Sequence, residues 1–306
     1  MTYFFRRLTS LIPVMFGVVT ITFFLIHMIP GDPVDIMLGD YTSQADRAAL
    51  RKELGLDQPL FAQYKNYLWR SLHLDFGRSL QSQKPVFKEI LDRVPATFEL
   101  GLAALLLAAL VGIPLGVAAA IKKNTWLDQL ILVIGSLGLS FPSLWSGPLL
   151  IWLFAIELDW LPIGERDSWD SLILPSVSLS IGLIALLMRM TRSSMLDVMK
   201  EDYMSVARAK GLPAYKIYFL HGLTNAIIPV LTLLGLMLGA LLTGTVIVET
   251  IFDWPGIGLL LYQSIQNRDY PLVQGCVLFV SVIYLFANFF TDLAYGYFNP
   301  KIRLES

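Results

Sequence analysis

Six stretches of the chain contain no Asp, Glu, Lys or Arg: Leu8–Met28, Leu100–Ile121, Gln129–Ile156, Ser171–Met188, Leu223–Val248 and Tyr270–Thr291. A helix of roughly 20 apolar residues crosses the ~30 Å hydrocarbon core of a bilayer. Lipid offers the backbone no hydrogen-bond partner, so a segment entering it must pair its own N–H and C=O groups, which a helix does. The pattern predicts an all-α, polytopic membrane protein with six transmembrane helices. Pro142 and Pro148 fall in the third run, which is expected to kink, or to break near Ser140–Ser143. The fourth run is only just long enough.

Composition narrows the class further. Of 306 residues 55% are hydrophobic and 15% charged, against about 25% charged in ordinary soluble domains. The polar residues needed to cover a water-facing surface are lacking. A net charge of −1 gives no basis for nucleic-acid binding. The single cysteine, Cys276, lies in an apolar run, which rules out an intrachain disulfide and makes a metal cluster unexpected. A small buried or lipid-facing side chain is its expected role.

Lys and Arg set the orientation, because cytoplasmic loops carry them in excess. Arg6 and Arg7 precede the first run, and Lys122 and Lys123 follow the second. Arg189, Arg192, Lys200, Arg208, Lys210 and Lys216 fill the connection between fourth and fifth, and Lys301 and Arg303 end the chain. The alternate connections are acidic, with Glu157, Asp159, Glu165, Asp167 and Asp170 in one and Glu249, Asp253 and Asp269 in the next. Both termini are therefore expected in the cytoplasm. His27-Met-Ile-Pro-Gly-Asp-Pro33 offers no small-x-small cleavage site, so the first run reads as an uncleaved anchor.

Two connections exceed a simple turn. The outer one, Pro30 to about Pro95, has helical patterns at Ser43–Leu54 and Pro59–Leu72, with Leu60, Tyr64, Tyr67 and Leu68 on one face. It reads as a small helical periplasmic insertion on the outer membrane surface, either a packed spacer or a surface with its own partner. The inner one, Arg189 to about His221, is helical in pattern from Ser193 to Lys210, with Met195, Val198, Met199, Tyr203 and Val206 towards the membrane domain. Gly211 permits a sharp reversal and Pro213 can start a second short helix, Ala214–Leu223. A helix–Gly–helix element suits insertion into a groove of another protein.

Ser205-Val-Ala-Arg-Ala-Lys-Gly211 resembles the EAA-type motif of ABC importer permeases. The longer run Glu201–Gly211, followed by His221-Gly-Leu-Thr-Asn225-Ala-Ile-Ile-Pro229, looks like the version in the dipeptide, oligopeptide, nickel and glutathione importers. Met28-Ile-Pro-Gly-Asp-Pro33, Leu54-Gly-Leu-Asp-Gln-Pro59, Asp75-Phe-Gly-Arg-Ser79, Leu161-Pro162, Ile173-Leu-Pro175, Val248–Gly258 and Arg268-Asp-Tyr-Pro271 extend the likeness along nearly the whole chain. Ser205 stands where many relatives have Glu, which weakens any contact specific to Glu. The spacing from Gly211 to Pro229 is also longer than in sugar-type permeases.

The resemblance implies a type I ABC importer permease fold. Its parts would be an N-terminal transmembrane helix (1–29), a periplasmic subdomain (30–95), a permease core (96–298, coupling loop 190–221) and a cytoplasmic tail (299–306). It implies a multi-pass subunit of the bacterial inner membrane, partnered by a homologous second permease, two ATP-binding subunits, a periplasmic solute-binding protein and membrane lipid. The ATPase-coupling residues it implies are Asp202, Ser205, Val206, Ala207, Arg208, Ala209, Lys210 and Gly211. The cargo it implies is di- or oligopeptide, with nickel or glutathione as alternatives. Transport would proceed by alternating access, with ATP binding drawing the coupling helices together, and the second to fifth spans would line the path.

No G-x-x-x-x-G-K-[ST] loop occurs, so ATP and Mg would be bound by partner chains, and none of H-E-x-x-H or G-x-S-x-G points to an enzyme. His27, His73 and His221 are scattered and read as structural; no cofactor or metal is expected in this chain. Polar groups inside spans are costly in lipid and tend to face a cavity or another helix. Ser140, Ser143, Thr243, Thr245 and Glu249 are therefore candidates for the translocation path. Glu249 either meets a peptide amino group or sits at the interface and pairs with the outer loop. The serines and threonines are equally readable as packing residues, as are Gly235 and Gly239. An autonomous secondary transporter would show inverted repeats and charged relays, and neither is visible.

Overall fold

Apart from Phe141–Pro142 and Thr245, the six charge-free runs are helical. The computed structural model describes residues 2–28, 51 and 57–298. Its helices are α1 (Thr2–Met28), α2 (Leu60–Leu72), α3 (Val86–Ile121), α4 (Trp126–Ser140), α5 (Ser143–Leu150), α6 (Ile173–Val198), α7 (Asp202–Ala209), α8 (Thr224–Gly244), α9 (Val246–Ile251), α10 (Ile257–Gln266) and α11 (Tyr270–Phe298). π-Helical segments, Ile151–Glu157 and Lys216–Leu223, follow α5 and precede α8. The described residues contain no strand beyond an isolated bridge between Arg78 and Pro85. The protein is an all-α membrane protein.

Among the described residues, four helical segments are long and apolar enough to cross a bilayer: Val86–Ile121, Asp170–Val198, Lys216–Leu241 and Tyr270–Phe289. The pair α4 and α5 with its π-segment makes a fifth if counted as one span, bent by 99°. α1 contains the shorter apolar stretch Leu11–Phe24. The expected helix at Ser43–Leu54 lies almost wholly outside the described residues.

The chain divides into two compact units, residues 1–95 with 256–285 and residues 96–255 with 286–306. In the first, Phe23 of α1 packs its ring 5.3 Å from Tyr64 and 5.6 Å from Tyr67 of α2, and the Thr20 and Tyr64 hydroxyls lie 2.7 Å apart. Tyr64 and Tyr67 thus define the packed face of α2, while Leu60 stays exposed. Val86, Ile90, Leu260, Leu272 and Cys276 form this unit's core. Asp269 caps the start of α11 by accepting the Leu272 N–H at 3.2 Å, and it also accepts the Ser79 hydroxyl.

In the second unit α6 is the central rod, with α4, α5 and α8 against it. α3 approaches it closely through two small residues. A Cβ on Gly112 would lie 2.9 Å from the Ile184 carbonyl oxygen, and one on Gly116 would lie 2.6 Å from both the Met188 carbonyl oxygen and Thr191 Cβ. In lipid, where apolar burial gives helices no reason to associate, such close approach maximises dispersion contact. Ala96, Leu100, Leu174, Val248, Phe252 and Trp254 form one buried cluster, and Ala108, Leu187, Val230 and Met237 another.

Two expectations change, and the third run takes one of its two expected forms. The helix of the fourth span, expected to end at Met188, continues to Val198, with Arg189 exposed and the Arg192 guanidinium paired with Asp128. The third span breaks, since Phe141 precedes a proline and is driven to extended backbone (φ −98°, ψ 102°), and Pro142, itself extended, stands just before α5. The inner connection is not one helix from Ser193 to Lys210. It breaks at Met199–Glu201, while Ala214–Leu223 leads into the fifth span as expected, continuous with α8.

Candidate coupling site and translocation path

α7 is amphipathic over two turns and opens with an acidic residue, Asp202, where the helix dipole favours negative charge. Its end has a specific geometry. The Gly211 N–H donates to the Arg208 carbonyl at 3.0 Å and the Leu212 N–H to the Ala207 carbonyl at 3.4 Å, with Gly211 at φ +72°. This is the Schellman arrangement, which places a left-handed residue just beyond the last helical turn. Leu212 completes it by packing on the cluster of Met204, Ala207 and Ile217, together with Val198, Met199 and Tyr218.

The break at Met199–Glu201 shifts the helical phase. Tyr203 and Val206, expected towards the membrane domain, are exposed, and Met204 and Ala207 are buried instead. Asp202, Ser205, Arg208, Ala209, Lys210 and Gly211 also face outward. The Arg208 guanidinium reaches back to the Met199 carbonyl at 3.5 Å, across the break. Asn225 donates to the Tyr203 hydroxyl at 3.0 Å and to the His221 carbonyl at 3.1 Å. The π-helical stretch is thus tied to α7 by a side chain that takes up one of its carbonyls.

Of the path candidates, the structure brings Thr245 and Glu249 together. Glu249 is 0% exposed; its Oε1 accepts the Thr245 hydroxyl at 2.6 Å and the Thr97 hydroxyl at 2.8 Å. A carboxylate enclosed in this way, rather than lying at an interface, presents no surface to cargo in this conformation. Thr97 gave no sequence signal, being 152 positions away. Ser140 and Ser143 flank the elbow at Phe141–Pro142, exposed and half-buried respectively. Thr243 lies in the last turn of α8, its side chain outside the described residues. Just beyond the elbow, Ser146 and Ser178 hydroxyls meet at 2.9 Å, joining α5 to α6.

Among the described residues, the basic connections also hold a buried ion pair that no sequence spacing announces. Arg192 Nε and Nη2 grip Asp128 at 2.6 and 2.8 Å, with the Asp128 side chain 3% exposed. The Asn124 N–H also donates to Asp128, at 2.9 Å.

Comparison with known proteins agrees with this architecture. Residues 112–304 match the family described as binding-protein-dependent transport system inner membrane component, and residues 1–101 match its N-terminal domain. The chain is 41% identical, over 305 residues and 100% of both chains, to the glutathione transport system permease protein GsiC of Salmonella typhimurium and to that of Escherichia coli K12. Among solved structures it is similar to a chain in the crystal structure of an amino acid ABC transporter with histidines, with a TM-score of 0.51 at 16% identity, covering 67% of this chain and 92% of that one. At that identity the likeness speaks for the fold. The matched family covers more than half of the chain and the relatives all of it, and the chain belongs to the binding-protein-dependent ABC importer permeases.

Proposed function

We propose that this permease carries glutathione across the inner membrane, as half of a path whose other half is a homologous subunit. The observation that carries this is the end-to-end identity to permeases named for glutathione transport. Glutathione is a tripeptide with a γ-linked first bond, so it falls within the peptide class suggested by the motifs and is favoured over ordinary di- and oligopeptides. Nickel has no comparable support.

The basic connections face the cytosol in this reading, and α7 is the coupling helix. Its outward face, Tyr203, Val206, Arg208 and Lys210, would seat on an ATP-binding partner, which would hold ATP and Mg. The Schellman turn at Gly211 fixes α7 against the foot of α8, so a push on α7 is delivered to packed helices and not absorbed by a loop. A periplasmic binding protein would deliver the cargo. The test is uptake of labelled glutathione in a strain lacking this chain, with and without a plasmid copy. Uptake should vanish and return with the copy, and excess unlabelled dipeptide should not compete. Loss of dipeptide uptake with glutathione uptake intact would replace this cargo with the peptide one.

A further inference from the structure

α7 is joined to α6 by only three residues, Met199–Glu201. α6 in turn touches both arms of the broken span. On the lower arm, Gly135 and Gly138 of α4 lie against it: a Cβ on Gly135 would collide with the Met188 methyl, and one on Gly138 would sit 3.3 Å from Ala185 Cβ. On the upper arm, the Ser146–Ser178 hydroxyl pair ties α5 to it. Contacts of this kind are non-directional or single: packing of small residues sets how closely two helices approach but pins no side-chain geometry between them.

One contact on this face is different. Arg192 lies in the last two turns of α6, and its planar fork holds both carboxylate oxygens of Asp128 in the first turn of α4. A bidentate pair fixes orientation as well as distance. Asp128 is itself oriented by the Asn124 N–H, in the turn between α3 and α4 where Asn124 adopts φ +63°. An ion pair so little exposed is a poor source of net stability. Its cost is understandable if it specifies one arrangement of two helices.

We propose that Asp128 and Arg192 are positioning residues: they make α4 follow α6, so that displacement of α7 reaches the elbow at Phe141–Pro142 instead of ending in α6. The inference rests on the coupling role proposed for α7. Without the clamp α6 would move and α4 would lag, and ATP would be hydrolysed without moving cargo.

The experiment uses the complete importer in proteoliposomes, with both permeases, the ATP-binding subunits and the binding protein, and measures labelled glutathione taken up per ATP hydrolysed. Asp128→Asn and Arg192→Gln should lower that ratio about tenfold while ATP hydrolysis continues. Arg192→Lys, which keeps the charge but loses the fork, should fall between them and the parent, and it decides the matter if the other two fail to assemble. Equal losses of uptake and hydrolysis, or an unchanged ratio, would overturn the clamp. Arg208→Glu on the exposed face of α7 serves as a separate arm. If it leaves the ATP-binding subunits bound and uptake normal, the coupling reading fails; if it releases them while the Asp128 and Arg192 variants keep a normal ratio, the clamp alone fails.

Discussion

The indole N–H of Trp254 donates to the carbonyl oxygen of Ala96 at 2.8 Å, across 158 positions of sequence. The ring sits with Phe252, Val248, Leu100 and Leu174 in a buried cluster, so one side chain both fills the core and ties the segment after α9 to α3. Trp254→Phe keeps most of the volume and removes the donor, and should destabilise by about 1 kcal/mol, the usual net worth of such a bond. Trp254→Ala should destabilise by about 3–5 kcal/mol through the cavity it leaves. Thermal unfolding of the detergent-solubilised protein measures both; an unshifted Phe variant would contradict the bond, and equal shifts would contradict the packing.

Gly211 tests the turn after α7. At φ +72° no neighbouring atom lies within 4 Å of where a Cβ would stand, so any penalty comes from the backbone alone. The left-handed conformation costs an ordinary L-residue about 1–2 kcal/mol, and Asn tolerates it best. Co-purification of the ATP-binding subunits and uptake should therefore decline in the order Asn, Ala, Val at this position, with membrane insertion intact. A Val variant with full uptake would contradict a role for the turn.

Two glycines predict opposite outcomes. A Cβ on Gly164 would run into the main chain of Phe252, which cannot yield as a flexible side chain can, whereas Gly182 has open space around it. Gly164→Ala should lower the unfolding temperature and the yield of folded protein. Gly182→Ala should leave both unchanged or slightly raised, since alanine favours helix by about 1 kcal/mol over glycine. The two variants behaving alike would contradict the packing described.

The turn after α2 carries a pH dependence. Arg70 bonds the Asp75 carboxylate through Nε at 3.0 Å, and this bond, helped by the Gly77 N–H, holds the Asp75 pKa below its usual value. A depressed carboxyl pKa means that the contribution is complete above about 3.9, the unfolded value, and fades as pH falls through the lowered one. Hydrogen exchange at the Gly77 amide, corrected for its intrinsic rate, should lose protection over that acid range. Asp75→Asn should abolish the pH-dependent step; the same step in the variant would place the titrating group elsewhere.

Five of the six expected spans, the bent one included, were legible because charge-free length is a local property, and so was the break in the third, which needs only Phe141-Pro142. Gly211 was legible as a reversal for the same reason. The phase of α7 was not. Reading Ser193–Lys210 as one helix puts Tyr203 and Val206 inward, but the interruption at Met199–Glu201 rotates Met204 and Ala207 into the core. Pairs set by tertiary contact left no trace either. Asp128 and Arg192 are 64 positions apart and Thr97 and Glu249 152 apart, and neither pair has a spacing that sequence periodicity can register.

Labelled glutathione uptake into proteoliposomes holding the whole importer, with ATP enclosed and the binding protein outside, addresses the central claim most directly. Uptake that requires ATP, the binding protein and this chain together is the expected result. Accumulation of glutathione by this chain alone, with no ATP-binding subunit present, would contradict it.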